Sequence, residues 1–391
     1  KDAKKDQQVS KAAQKPLKAA QDVMQEKKWP EMIAKLQEVE ALGDKRNPYD
    51  TYLMHEMFGY AYAQQKDYPN AVQHLEAGLN SGFAPEEEMP NRMRQLAGVN
   101  YQIKNYDKAI EYGTKALDAG YGDAEYKDTM FTVVSQAYYI KEDYKNTQSS
   151  TEKYVQAEIK NAQTSREQTL QLLLGACAKL DDAACQTTQF ERLATYYPKP
   201  EYWQNLMYSV FQAPNHNDKS LLQTYRLMSE VDVLKRPDDY TEMAQLAIEQ
   251  GSPGEAVAIL QKGFDKKVFV EARDVDRNKR LLQSAKTQAD ADKASLAKVD
   301  ADAAASPTGV KDIGVGLAWL SYKDYAKAVT AFERGLGKPG VKDEAEARLL
   351  LGIAQLGAGK KDEAQKSFKA VKGDAKIERI ANLWSLHARQ V

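Results

Sequence analysis

The sequence predicts an all-α protein, a solenoid of stacked antiparallel helix pairs ending in a capping helix. Three observations carry this. The phrase KNYDKAIEYGTKAL, Lys104 to Leu117, returns more than two hundred residues later as KDYAKAVTAFERGL, Lys323 to Leu336. Small residues recur at a fixed distance before that turn, and alanines at a fixed distance behind it. The apolar periodicity is helical and local throughout.

Taken in order, the opening KDAKKDQQVSKAAQK (residues 1–15) has hardly any large apolar residue and predicts a solvated, flexible tail. Helical patterning is expected from Pro16, since proline suits the first turn of a helix. Turn phrases follow: KDYPNAV from Lys66, KNYDKAI from Lys104, KEDYKNT from Lys141, GSPGEAV from Gly251, KDYAKAV from Lys323 and GKKDEAQ from Gly359. Before each lies a small residue, namely Gly59, Ala97, Ser135, Ala244, Gly316 and Gly352. Three positions further on come Tyr62, Asn100, Tyr138, Ala247, Trp319 and Gln355. Behind the turn lie Ala71, Ala109, Thr147, Ala256, Ala328 and Ala364, and four later Leu75, Gly113, Thr151, Leu260, Phe332 and Phe368. Small residues at these places let two helix backbones approach closely.

This pattern resembles the tetratricopeptide repeat, whose signature is a small residue, an aromatic three later, then Ala and Phe four apart. The resemblance implies a right-handed solenoid in which each pair buries its apolar face against its neighbours. Tyr68, Tyr106 and Tyr144 are spaced by 38 residues, longer than the family period of about 34. A fifth unit keeps Gly175 and has Ala184 at the place of the tyrosine. Trp29 is the turn aromatic of an N-terminal unit. EARDVDRNKRLLQSAKTQADADKASLAKVDADAAASP predicts a polar helix pair or one long helix, and Ala375 opens the cap, with Ile377, Ile380, Leu383 and Leu386. The expected divisions are a tail at 1–15, an N-terminal array at 16–200, degenerate and regular pairs at 201–270, a long polar helical segment at 271–307, and C-terminal pairs with the cap at 308–391. The phrases YYPKPEYWQNL and LLLGIAQLGAGKKDEAQKSFKAVKGD resemble exported proteobacterial proteins of this repeat class, which implies a periplasmic location. Lys1 in place of Met is expected either from removal of an export signal or from a trimmed start.

Composition excludes several functions. The chain has 391 residues, 42% hydrophobic and 28% charged, with 55 basic against 56 acidic side chains and a net charge of -1. Such a balance argues against nucleic acid as a partner. The longest apolar stretch, LQLLLGACA from Leu170, is interrupted by Gln171 and too short to span a bilayer. His55, His74, His216 and His387 lack metal-ligand spacing and are expected on the surface or in a groove. GIAQLGAGKK has no lysine-serine ending of a phosphate loop, and Glu86, Glu87 and Glu88 sit in a boundary loop. No catalytic constellation, metal site or cofactor is expected. Cys177 and Cys185 are eight apart across one hairpin. A disulfide is the expectation for an exported chain, and two reduced packing residues for a cytosolic one.

Family geometry implies that Tyr60, Gln64, Asn91, Arg94, Tyr101, Gln136 and Tyr139 lie on the concave face, the usual surface for a protein or peptide partner. The equivalent late positions, Leu317, Leu320, Ile353 and Leu356, are apolar; either the superhelix folds over them or they form an apolar groove. The expected function is a non-enzymatic periplasmic scaffold or adaptor. The alternative is a carrier that holds a lipid or other apolar small molecule inside a closed solenoid.

Overall fold

The structure, a computed structural model, describes residues 7–211 and 217–390. Among these residues the chain forms twenty α-helices and no strand. In order they are α1 (Lys11–Gln25) paired with α2 (Trp29–Glu40), α3 (Pro48–Gln64) with α4 (Tyr68–Asn80), α5 (Met89–Gln102) with α6 (Tyr106–Asp118), α7 (Ala124–Ile140) with α8 (Tyr144–Lys160), α9 (Glu167–Lys179) with α10 (Ala183–Tyr196), α11 (Pro200–Phe211) with α12 (Asp218–Glu230), and α13 (Pro237–Glu249) with α14 (Pro253–Asp265). Then come the unpaired α15 (Ala272–Ala304), α16 (Val310–Ser321) with α17 (Tyr325–Leu336), α18 (Glu344–Gly357) with α19 (Lys361–Lys369), and the final α20 (Ala375–His387). The long polar segment is thus one helix of 33 residues. No helix among the described residues is long and apolar enough to cross a membrane.

In eight of the nine pairs the turn has one construction; that between α11 and α12 runs through residues outside the described ones. Lys27, Lys66, Lys104, Glu142, Asp181, Gly251, Lys323 and Gly359 all adopt positive φ, from 52° to 77°. The amide of the next residue then donates back to the carbonyl five positions earlier: Asp67 to Tyr62 at 2.9 Å, Asn105 to Asn100 at 2.8 Å, Asp143 to Tyr138 at 3.0 Å, Asp324 to Trp319 at 3.0 Å. This closes the first helix. Side chains of Asp67, Asp143 and Asp324 accept from the amides of Asn70, Asn146 and Lys327, which opens the second. In the fifth unit Asp181 takes the left-handed place and Asp182 caps the amide of Cys185 at 3.0 Å. The register there shifts by one from the sequence expectation: Ala183, not Ala184, stands where the tyrosine belongs, and Leu174, not Gly175, holds the small-residue place.

The start of the chain also departs from expectation. Of the anticipated tail, Lys1–Asp6 lie outside the described residues, as does His216. Helix α1 begins at Lys11, not Pro16, and Pro16 lies inside it. Ser10 caps it by accepting from the Ala13 amide at 3.3 Å, and the Ser10 amide donates to buried Asp50 at 3.0 Å. Proline deprives the Ala12 carbonyl of its helical donor; Ala12 is exposed, so water can serve instead. Ala13, Leu17 and Ala20 bury against Met32, Leu36 and Phe58, which holds the helix in place.

The chain divides into two compact units, Lys1–Gln186 and Thr187–Val391, with the break inside α10. Within the first unit the leading helices touch one another, α1 with α3, α5 with α7, and α7 with α9, and so form an inner layer. The second unit closes on itself. Its α12 touches α20, Lys219 of α12 donates to Asp343 at 2.5 Å, and Gln223 donates to Glu346 of α18 at 2.9 Å. Arg379 of α20 forms an ion pair with Glu191.

Candidate functional site

In the first unit, the seven side chains expected on the concave face all stand on α3, α5 and α7. Arg94 donates to Asn91 at 3.0 Å and passes its guanidinium 5.9 Å from the ring of Tyr126. Tyr101 donates to Gln136 at 3.2 Å, linking α5 to α7. Two pairs are therefore brought together. Tyr60 instead turns edge-on to Trp29 of the preceding pair, with centroids 5.6 Å apart. Gln64 is exposed at the end of α3. Tyr139 covers Gly175, its hydroxyl 3.1 Å from where a β-carbon would stand, and meets Tyr144 edge-on at 5.3 Å.

Beneath this face lies a network that sequence reasoning missed. Buried Arg92 donates to the Tyr52 hydroxyl and to Glu88, both at 2.6 Å, and pairs with Glu56. Burial pushes the Glu56 carboxyl up against the pull of Arg92, and pushes the Tyr52 phenol up to about 12. Arg92 is adjacent in sequence to the exposed positions of α5. Helical periodicity alone does not mark it as buried, because an arginine is almost never fully buried unless paired.

In the second unit, closure forms a half-open cleft of about 470 Å³, and a smaller one of about 250 Å³ shares Glu230, Tyr325, Ile353 and Trp384 with it. Leu320 and Ile353 line the larger chamber, and Ile353 and Leu356 the smaller. Leu317 packs into the core around Phe332. The remaining wall is charged. Arg226 binds Glu255 through Nε at 2.8 Å and Nη2 at 2.7 Å, leaving its buried Nη1 without a partner; the buried Trp384 Nε1 also has none. Glu230 keeps 52% of its side-chain surface open and lies 3.5 Å from His387 Nε2. The neighbouring His387 holds the Glu230 carboxyl below the usual carboxylate range. Trp384 was the available signal, a large aromatic on the helix from Ala375 that the sequence marks as a cap.

His55 and His74 face each other, Nδ1 to Nδ1 at 2.8 Å, yet no cluster of three or more metal-ligating side chains exists among the described residues. Cys177 at the end of α9 and Cys185 in α10 form a disulfide, with Cα atoms 5.7 Å apart.

The family model of the tetratricopeptide repeat matches residues 323–376. Among solved structures, a tetratricopeptide repeat protein from Parabacteroides merdae is similar with a TM-score of 0.32 and 11% identity, over 85% of this chain and 98% of its own. Yeast Tom70 gives 0.28 and 11%, over 97% and 96%. The TPR2AB-domain:pHSP90 complex of yeast Sti1 gives 0.26 and 13%, over 78% and 95%. Scores of this size carry no argument about function. No curated protein matches the chain.

Proposed function

We propose that this chain, a tetratricopeptide-repeat protein, is a non-enzymatic interaction scaffold that holds a protein or peptide partner on the inner face of its first unit. The carrying observation is the neighbouring pairs Asn91/Arg94 and Tyr101/Gln136 on α5 and α7, which are in contact. Asn91, Arg94 and Gln136 are exposed and Tyr101 is half-buried, so amide, guanidinium and phenol groups face outward on touching helices. Such groups bind backbone amides and stack on side chains, and arginine and tyrosine are the types enriched among binding anchors. A periplasmic setting accords with the Cys177–Cys185 bridge, since disulfides persist in oxidising compartments.

Crosslinking and capture from the periplasm tests this, with the wild-type chain against an Arg94→Ala/Tyr101→Ala variant. The expected result is a partner recovered by the wild type, weakened by about 2 kcal/mol or more in the variant, at an unchanged melting temperature. Equal capture by both would remove the inner face as the site.

A further inference from the structure

The second unit holds a chamber whose wall carries groups that nothing in the fold requires there. Packing accounts for Met243 and Ile259. It does not account for a buried Arg226 nitrogen and a buried Trp384 nitrogen left without acceptors. Nor does it account for Lys323, exposed and in no ion pair among the described residues, standing on the same wall as the half-open carboxylate of Glu230. Unpaired buried donors cost free energy, and they are relieved by a ligand that supplies acceptors.

The chamber's chemistry selects among ligand classes. A lipid tail would strip water from Glu230, Lys323 and the Arg226–Glu255 pair while offering them nothing in return. A polyamine would meet Glu230 and Asp265 but also face Arg226, Lys262 and Lys323. A simple anion would satisfy the donors and be repelled by Glu230 and Glu255. One class satisfies both signs at once, a zwitterion with an apolar flank. Its ammonium group would sit at Glu230 beside the ring of Tyr325, which attracts cations through its face. The carboxylate would take Lys323 at the open face and, once neighbouring side chains shift to uncover them, the buried Arg226 Nη1 and Trp384 Nε1 donors, and an aliphatic side chain would lie on Leu320, Ile353 and Leu356. A volume near 470 Å³ falls in the range of small-molecule pockets.

We propose that the second unit binds a free short peptide, of two or three residues with unblocked termini and at least one apolar side chain, inside this chamber. The site is separate from the inner face of the first unit, so loss of partner capture by Arg94→Ala and loss of peptide binding by a chamber variant are independent results.

The test is isothermal titration of the full chain with the dipeptide Leu-Leu, its N-acetyl form, its C-terminal amide, palmitate and spermidine, repeated on Glu230→Gln and Lys323→Gln, with circular dichroism verifying that the variants fold. Leu-Leu is expected to bind, and either cap to weaken it by about tenfold or more, the worth of a charge-assisted hydrogen bond. Glu230→Gln should weaken Leu-Leu equally but leave the N-acetyl form at its wild-type affinity. Lys323→Gln should do the same for the amide. No binding of Leu-Leu at millimolar concentration, or equal binding of capped and free forms, overturns the proposal. Palmitate binding that ignores both substitutions overturns it in favour of an apolar carrier, and spermidine binding that depends on Glu230 without any dipeptide binding overturns it in favour of a cation site.

Discussion

Gly352 lies directly beneath the ring of Phe368: a β-carbon on the glycine would stand 2.5 Å from the ring's Cε1. The same relationship joins Gly316 to Phe332 at 2.8 Å and Gly59 to Leu75 at 2.7 Å, each across one pair. The small residue of the first helix and the large residue of the second are one packing unit. Phe368 is 1% exposed and has nowhere to retreat. Gly352→Val is therefore expected to cost about 1–3 kcal/mol through overpacking, and Phe368→Leu in the same chain to recover part of it. Gly314, on exposed α16 surface with nothing within 4 Å of its β-position, supplies the contrast. Gly314→Ala should raise stability by about 1 kcal/mol, the helix-propensity difference. Urea unfolding of the three variants against the wild type decides it; an unchanged midpoint for Gly352→Val would remove the steric account.

The left-handed turn residue offers a second measurement. Lys104 holds φ at 62° where Gly251 and Gly359 hold 77° in other turns. A side chain in that region costs about 1–2 kcal/mol, part of which returns because glycine is more flexible when unfolded. Lys104→Gly should thus stabilise the chain by up to about 1 kcal/mol, whereas Asn105→Pro should destabilise it. Proline there removes the amide that donates to the Asn100 carbonyl at 2.8 Å. Thermal melts of the two variants should move in opposite directions.

The histidine pair makes stability depend on pH. Burial, with His55 adding repulsion, holds His74 down to about 4, and burial followed by Arg46 lowers His55 as well. Both groups thus bind protons less readily folded than unfolded, where histidine titrates near pH 6.5. Their contribution is fully present above about pH 6.5 and is lost as pH falls toward 4, so stability rises with pH through that window. Phe58 stacks on the His74 ring at 4.5 Å, a setting that accepts another aromatic. His74→Phe should flatten the wild-type slope of urea midpoint against pH between 6.5 and 4. A variant with the full slope would assign the pH dependence to other groups.

The bridge between Cys177 and Cys185 closes a loop of eight residues. Constraint of the unfolded chain by so short a loop is worth about 2–3 kcal/mol. Cys177→Ala/Cys185→Ser should lose that amount, and should be unaffected by reductant, while the wild type loses it only when reduced. Peptide mapping under non-reducing conditions identifies the bonded species; two free thiols in oxidised material would refute the bridge.

The sequence by itself determined the repeating unit. Its turn chemistry and its small-on-large contacts join residues within about twenty positions of each other, and such local rules are written in each copy. The helical class, the hairpin boundaries and the final helix at Ala375 all follow from them. Where a local rule had two readings, the sequence slipped: two adjacent aspartates at 181 and 182 left the fifth register open by one, and Pro16 concealed the helix start that Ser10 and Asp50 enforce. Tertiary structure alone decided the rest. Arg226 and Trp384 stand more than a hundred and fifty residues apart, and they share a chamber wall only because α20 returns to α12 when the second unit closes. That closure depends on the summed small rotations of the intervening pairs, which no single copy of the repeat encodes. It also decided the fate of the late aliphatic residues: Leu317, Leu320 and Ile353 all pack, partly buried, against the core around Phe332, while Leu320, Ile353 and Leu356 also line cavity walls.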